Sequence, residues 1–156
     1  MSVIENTAIF FDNPLGVQTS VKEIEENFEF LDDWEERYGY IIDLGKQAPS
    51  LPDDFRIEDN YIHGCQSQVW FVYHFDTKEN KLYVLVDSDA MIVRGLAAVV
   101  MAAFNGRSPK EIAEFDMEDL FKKLDLLKHL SPTRGNGLRA MVQKIQNSAQ
   151  NLVTLH

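Results

Sequence analysis

From residue 20 onward, apolar positions recur first at helical spacing, then in strand-like runs, then at helical spacing again. Residues 20–23 match the S-x-x-E capping box, in which a hydroxyl and a carboxylate satisfy free N–H groups at a helix start. Val21, Ile24, Phe28 and Leu31 follow on one helical face. Asp32 with Glu35 offers a second cap of the same kind, and Trp34, Tyr38, Ile41 and Ile42 continue an apolar face. Gly45 stands where that helix should end, and Pro49 and Pro52 block its resumption. The spacing predicts two consecutive helices or one bent helix.

After a loop at residues 49–60, Tyr61-Ile62 can open a short strand, and Gly64-Cys65-Gln66-Ser67 reads as a loop or tight turn. Residues 68–75 and 81–86 are rich in β-branched and aromatic side chains and flank a polar turn. They predict an antiparallel hairpin, with Tyr61-Ile62 as a candidate third strand. Residues 90–104 are apolar almost all round, with only Arg94 charged, so this helix should be central and buried. Asn105-Gly106 ends it. Ser108-Pro109 starts another helix, and Asp116 caps a further short one carrying Leu120, Leu124 and Leu127. Residues 129–137, with Ser131-Pro132 and Gly135-Asn136-Gly137, read as a loop. Leu138, Met141, Val142, Ile145, Ala149 and Leu152 then mark the last helix.

The fold class is therefore α+β: a small antiparallel sheet of about three strands packed with helices. Residues 1–19 lack periodicity and read as a tail or surface-packed arm, with Phe10, Phe11 and Leu15 available to dock it. Residues 20–156 form the domain.

Composition narrows the function classes. Of 156 residues, 45% are hydrophobic and 26% charged, which suits a globular domain. The net charge of −10 disfavours binding to nucleic-acid backbones and anionic membranes. Residues 1–11 carry no basic residue and no adequate apolar core for a signal peptide. The longest apolar run, residues 95–104, is about half of a membrane span of roughly 20 residues. A cytoplasmic chain is expected.

The single cysteine, Cys65, cannot form an internal disulfide and suits a reducing compartment. Its small polar neighbours favour a loop beside the sheet, where functional side chains collect. It is either a reactive thiol or a buried, inert one. His63 could serve as its base or be a surface histidine. His74, His129 and His156 show no metal-ligand spacing, so no metal and no cofactor are expected. Asp87 and Asp89 form a carboxylate pair, or else Asp89 or Ser88 caps the helix that follows. Arg134 and Arg139 flank the Gly-Asn-Gly segment; they are solvated, or one of them faces an anion.

The run Gly64-Cys65-Gln66-Ser67-Gln68-Val69-Trp70 resembles the SufE family of cysteine desulfuration proteins, with its paralogue CsdE. Three further segments agree, in family order: Trp34-Glu35-Glu36-Arg37-Tyr38 with the Tyr40–Gly45 stretch, Asp87-Ser88-Asp89-Ala90, and His129-Leu130-Ser131-Pro132-Thr133-Arg134. The resemblance implies an α+β sandwich similar to the IscU scaffold protein. It also implies a function: Cys65 takes sulfane sulfur from the persulfide of a pyridoxal-phosphate cysteine desulfurase of SufS or CsdA type. That sulfur would pass to iron–sulfur assembly on a scaffold such as a SufBCD-type complex, and the desulfurase would be stimulated. By position, Asp89 would hold the cysteine loop at rest and Arg134 would assist the sulfur anion. Gly64, Gln66, Ser67 and Gln68 would form the loop and the partner contact. The arm at residues 1–19 is longer than the usual family start, and His63 falls outside the motif. Two other readings remain: a small acyltransferase or hydrolase with Cys65 as nucleophile, and a binding module in which Cys65 is incidental.

Overall fold

The computed structural model describes residues 7–155, so the first six residues and His156 lie outside it. In chain order the elements are α1 (Ala8–Phe11), α2 (Val21–Phe30), α3 (Trp34–Gly45), β1 (Val69–Asp76), β2 (Lys81–Ser88), α4 (Met91–Phe104), α5 (Pro109–Glu114), α6 (Met117–Lys123) and α7 (Pro132–Leu155). Short 3-10 turns stand at Asp53–Phe55, Glu58–Asn60 and Leu127–His129.

The architecture is α+β, with a two-stranded antiparallel sheet. Val69 pairs with Ser88 at its open end and Asp76 with Lys81 at its turn end. The expected third strand shrinks to one bridge, Tyr61 to Trp70. A 3-10 turn ends immediately before Tyr61 and the chain turns again after Ile62, so only two residues are left extended.

Helix α4 is the centre, as its apolar composition requires. Residues 95–104 are all buried, against β2 on one side and α3 on another. The α3–α4 crossing depends on having no side chain at two positions. A Cβ at Gly45 would come within 2.7 Å of the Gly95 backbone nitrogen, and one at Gly95 would strike Ile41. Two glycines thus let the helix backbones touch, a gain in packing that outweighs the roughly 1 kcal/mol each costs in helix propensity.

Two consecutive helices form near the start, not one bent helix. Ser20 caps α2 by accepting from the Glu23 N–H at 3.1 Å. The second cap is Asp33, which accepts from Glu36 at 2.8 Å, and not Asp32. Ahead of them, Phe10 and Leu15 are buried while Phe11 is largely exposed. Two buried asparagines bind this segment to the sheet. Asn105 donates to the Leu15 carbonyl at 2.8 Å and accepts from the Val84 N–H at 3.1 Å, and Asn13 donates to the Val84 carbonyl at 3.5 Å. The side chains supply the outer edge of β2 with partners that a third strand would otherwise give.

Candidate functional site

The cysteine loop, residues 63–67, leaves the sheet at its open end, and both of its roots are hydrogen-bonded. The Ile62 N–H donates to the Val69 carbonyl at 2.8 Å. Gln68 is gripped three times: its N–H donates to Asp89 Oδ1 at 3.1 Å, and its carbonyl accepts from Ser88 Oγ at 2.7 Å and from the Asp89 N–H at 3.4 Å. Asp89 and Ser88 therefore do not cap α4. The N-cap position is Ala90, without a side-chain cap, and its N–H donates to Ser88 Oγ at 3.2 Å. Asp87 and Asp89 do not act as a pair either, since Asp89 is exposed at the loop root and Asp87 is fully buried.

The buried, arginine-clasped setting of Asp87 is the feature near the loop least visible in the sequence. Its Oδ2 accepts from Arg56 Nη2 at 2.9 Å and from the Leu51 N–H at 2.7 Å, and its Oδ1 lies 3.3 Å from Arg94 Nε. The Arg56 guanidinium also lies over the Trp70 ring, 5.1 Å from its centre. A carboxylate removed from water requires such partners. The signal for it was Arg94: one charge on an otherwise apolar helix needs a buried counter-charge.

Helix α7 begins at Pro132, not after Gly137, so the Gly135-Asn136-Gly137 segment is helical. Ser131 starts it, its hydroxyl accepting from the Arg134 N–H at 3.2 Å and its carbonyl from the Gly135 N–H at 2.9 Å. A serine cap followed by proline is a strong start signal. Gly135 and Gly137 are buried, facing Leu127 and Cys65 respectively, so they serve as close contacts and not as breakers. The start of α7 is held from behind. The Trp34 ring stacks on His129 at 3.9 Å between centres, and the Tyr38 hydroxyl donates to the His129 carbonyl. Two motif segments about 90 residues apart thus meet just before the Ser131 cap.

Against this helix lies Cys65, half-buried. Its Sγ donates to the Gly137 carbonyl at 3.4 Å. Gly64 takes φ +94°, a left-handed conformation that favours glycine, and its α-carbon faces Ala140. Burial pushes the Cys65 thiol above its ordinary pKa, and an S–H···O=C bond is available only to the protonated form. Beside Cys65 lies a small cleft, in which the centre of a water-sized sphere can move over about 20 Å³. Leu96, Leu138 and Met141 line it, and so do Gln66, Thr133 and Arg134. Among the described residues, the Arg134 guanidinium has no ion-pair or hydrogen-bond partner, whereas Arg139 is paired with Glu118 at 2.7 and 3.3 Å. His63 is not directed at the thiol: its Nε2 lies 2.7 Å from Glu58 Oε1 and its ring packs edge-on against Tyr61. The geometry thus brings together Cys65, Gln66, Ser67 and Arg134 around one cleft, with Asp89 and Gln68 at the loop root. It leaves His63 and Arg139 out.

A family model described as "SufE: Fe-S metabolism associated domain" matches residues 22–149. An uncharacterized SufE-like protein of Rhizobium meliloti (strain 1021) is 46% identical over 134 residues, covering 85% of this chain and 96% of that relative. A second, from Rhizobium etli, is 46% identical over 133 residues, with 84% and 90% covered. The fold is shared with a hypothetical protein from Thermus thermophilus solved in solution, at a TM-score of 0.70 and 20% identity, covering 86% of this chain and 96% of that one. With the family model spanning most of the domain and relatives at this identity matched over nearly their whole length, the chain belongs to the SufE family of Fe–S-metabolism-associated proteins.

Proposed function

We propose that this chain is the sulfur acceptor and activator of a pyridoxal-phosphate cysteine desulfurase of SufS or CsdA type. It works in the cytoplasm and passes sulfur from Cys65 to iron–sulfur assembly on a scaffold such as a SufBCD-type complex. Among the described residues, no helix is long and apolar enough to cross a membrane. The observation that carries the reading is the setting of Cys65: the chain's single thiol, half-sheltered at a small cleft also lined by Arg134, whose guanidinium has no partner among the described residues.

The step is a transpersulfidation. Cys65 gives up its proton, and its Sγ attacks the terminal sulfur of the donor persulfide. A new S–S bond forms at Cys65 while the donor's S–S bond breaks, and the donor cysteine leaves as a thiolate that takes up a proton. No outside oxidant or reductant is needed. Arg134 offers charge to the sulfur anion, and Asp89 holds the loop root through Gln68. The raised thiol pKa keeps free Cys65 protonated and slow, so reaction waits for a partner to shift the loop. A stand-alone thiol hydrolase fits less well. His63, the candidate base, is engaged with Glu58 and not with the thiol.

The test is intact-mass spectrometry after incubation with desulfurase, pyridoxal phosphate and L-cysteine. Wild type should gain sulfur that a reductant removes, and Cys65→Ser should gain none. Wild type staying unmodified beside both SufS-type and CsdA-type enzymes that retain their own persulfide would overturn the reading.

A further inference from the structure

Residues 23–36, from α2 into α3, hold eight of the chain's 25 carboxylate side chains and no lysine or arginine. Folding accounts for some of them. Glu23, Asp33, Glu35 and Glu36 stand at helix starts, where negative charge complements the helix dipole. Glu25 and Glu29 have no such role. They stand one turn apart on α2, where like charges repel. Glu29 also occupies the last turn, at the negative end of the dipole, and no basic residue offsets it there. Neither carboxylate has an ion-pair partner among the described residues.

Both line an open groove between α2 and the end of α6, in which the centre of a water-sized sphere can move over about 330 Å³. Asp125 lines it too, from the chain just after α6, and the buried Phe28 and Leu124 give it an apolar base. The cations beside it are committed elsewhere. Arg37 Nη2 donates to the Phe28 carbonyl at 3.0 Å, with its guanidinium against the Phe28 and Trp34 rings, and Lys123 pairs with Asp119 at 3.2 Å. Next to Glu29 in the chain, Phe30 is 83% exposed, more than any other large apolar side chain among the described residues.

We propose that this groove docks a basic segment of a partner protein, with lysines or arginines facing Glu25, Glu29 and Asp125 and an apolar side chain packed on Phe30. Charge selects this occupant. A second copy set symmetrically on the same face would bring carboxylates against carboxylates, and nucleic acids and anionic membranes are repelled. No residue of the groove lines the Cys65 cleft, so the contact is separate from that cleft and does not depend on the acceptor reading.

The experiment titrates the full chain with two lysine-rich helical peptides of equal charge and follows fluorescence anisotropy. One peptide carries leucines along one face and the other carries alanines in their place. The leucine peptide should bind more tightly, and raising salt from about 50 to 200 mM should weaken both. Phe30→Ala should weaken the leucine peptide about tenfold and leave the alanine peptide unchanged. Glu25→Gln combined with Glu29→Gln should weaken both about tenfold, while the urea midpoint holds or rises, because the fold gains nothing from those charges. Asp53→Asn with Asp54→Asn removes the same charge from an exposed turn elsewhere and should bind as wild type. Equal losses from the two double variants would reduce the binding to diffuse charge and overturn the proposal. A lower urea midpoint without Glu25 and Glu29 would overturn it as well, by showing that the carboxylates serve the fold. A wild-type dimer that Phe30→Ala dissociates would give the face to a second copy instead.

Discussion

At its turn end the β1–β2 hairpin closes in solvent. Asp76 Oδ1 accepts from the Lys78 and Glu79 N–H groups at 3.0 and 3.2 Å, and residues 77–81 are exposed. At its open end, the same two strands finish on a buried carboxylate clasped by two arginines. The next two residues, Ser88 and Asp89, grip the root of the cysteine loop. One end is made of local bonds that water can replace. The other ties together the segment from Leu51 to Arg56, the start of α4 and the sheet. A buried ion cluster is a weak source of net stability, but it fixes geometry, because the charges tolerate few other arrangements. The difference shows where this fold invests in position: beside Cys65, and not at the hairpin turn.

The largest effect should come from Asp87→Asn. It leaves Arg56 and Arg94 facing each other without their shared counter-charge. Both arginines are partly exposed, so the loss should fall at the low end of that for a broken buried pair, about 3 kcal/mol in urea denaturation. A loss below about 0.5 kcal/mol would erase the contrast between the two ends.

Asp89→Ala is the next smaller step. It removes the carboxylate from the Gln68 N–H at an exposed site, costing about 1 kcal/mol or less. If that cost falls on the loop alone, opening becomes roughly fivefold more frequent, and iodoacetamide should modify Cys65 faster by that factor. The pH profile sharpens this. Burial raises the Cys65 thiol, so the alkylation midpoint of wild type should lie above the ordinary thiol value of about 8.5, and Asp89→Ala should bring it down. For stability the sign is fixed as well. The folded pKa exceeds the unfolded one, so the contribution is fully present below the unfolded pKa and is lost as pH rises through the folded one. Against Cys65→Ser, wild type should lose ground in alkaline urea melts. A midpoint at or below that of the unfolded chain would remove the shelter argued for Cys65.

The sequence made one side of this contrast legible and hid the other. The hairpin, the buried α4 and the inner face of α7 follow from periodicity and composition, which report burial directly. Cys65 stands out by its motif. Its shelter does not, since that comes from Gly137, 72 residues away, in a stretch whose glycines read as loop. Glycine lowers helix propensity locally, and only the tertiary contacts with Leu127 and Cys65 explain why the helix runs through it. Asp32 and Asp33 are chemically equal caps, and local sequence does not separate them by one residue. The expected third strand does not form, because Tyr61-Ile62 has strand composition but only two extended residues between turns. Asp87 and Asp89 look alike in sequence, and their fates differ because the strand runs on to Ser88, carrying Asp87 inside.

The smallest expected effect tests the turn end. Asp76→Ala removes two hydrogen bonds from exposed N–H groups that water can satisfy, and it leaves the strand register and the Arg107 bridge to Leu82 in place. The cost should be about 0.5 kcal/mol. Sulfur loading and the Cys65 alkylation rate should match wild type, because no bond at the turn reaches the loop, which lies at the far end of both strands. A general loosening of the hairpin would make itself felt at both ends. Faster alkylation in Asp76→Ala, at a stability loss comparable to that of Asp89→Ala, would mean that the sheet transmits strain along its length. In that case, Cys65 would be guarded by the stability of the whole hairpin and not by the clasp of Asp87, Ser88 and Asp89.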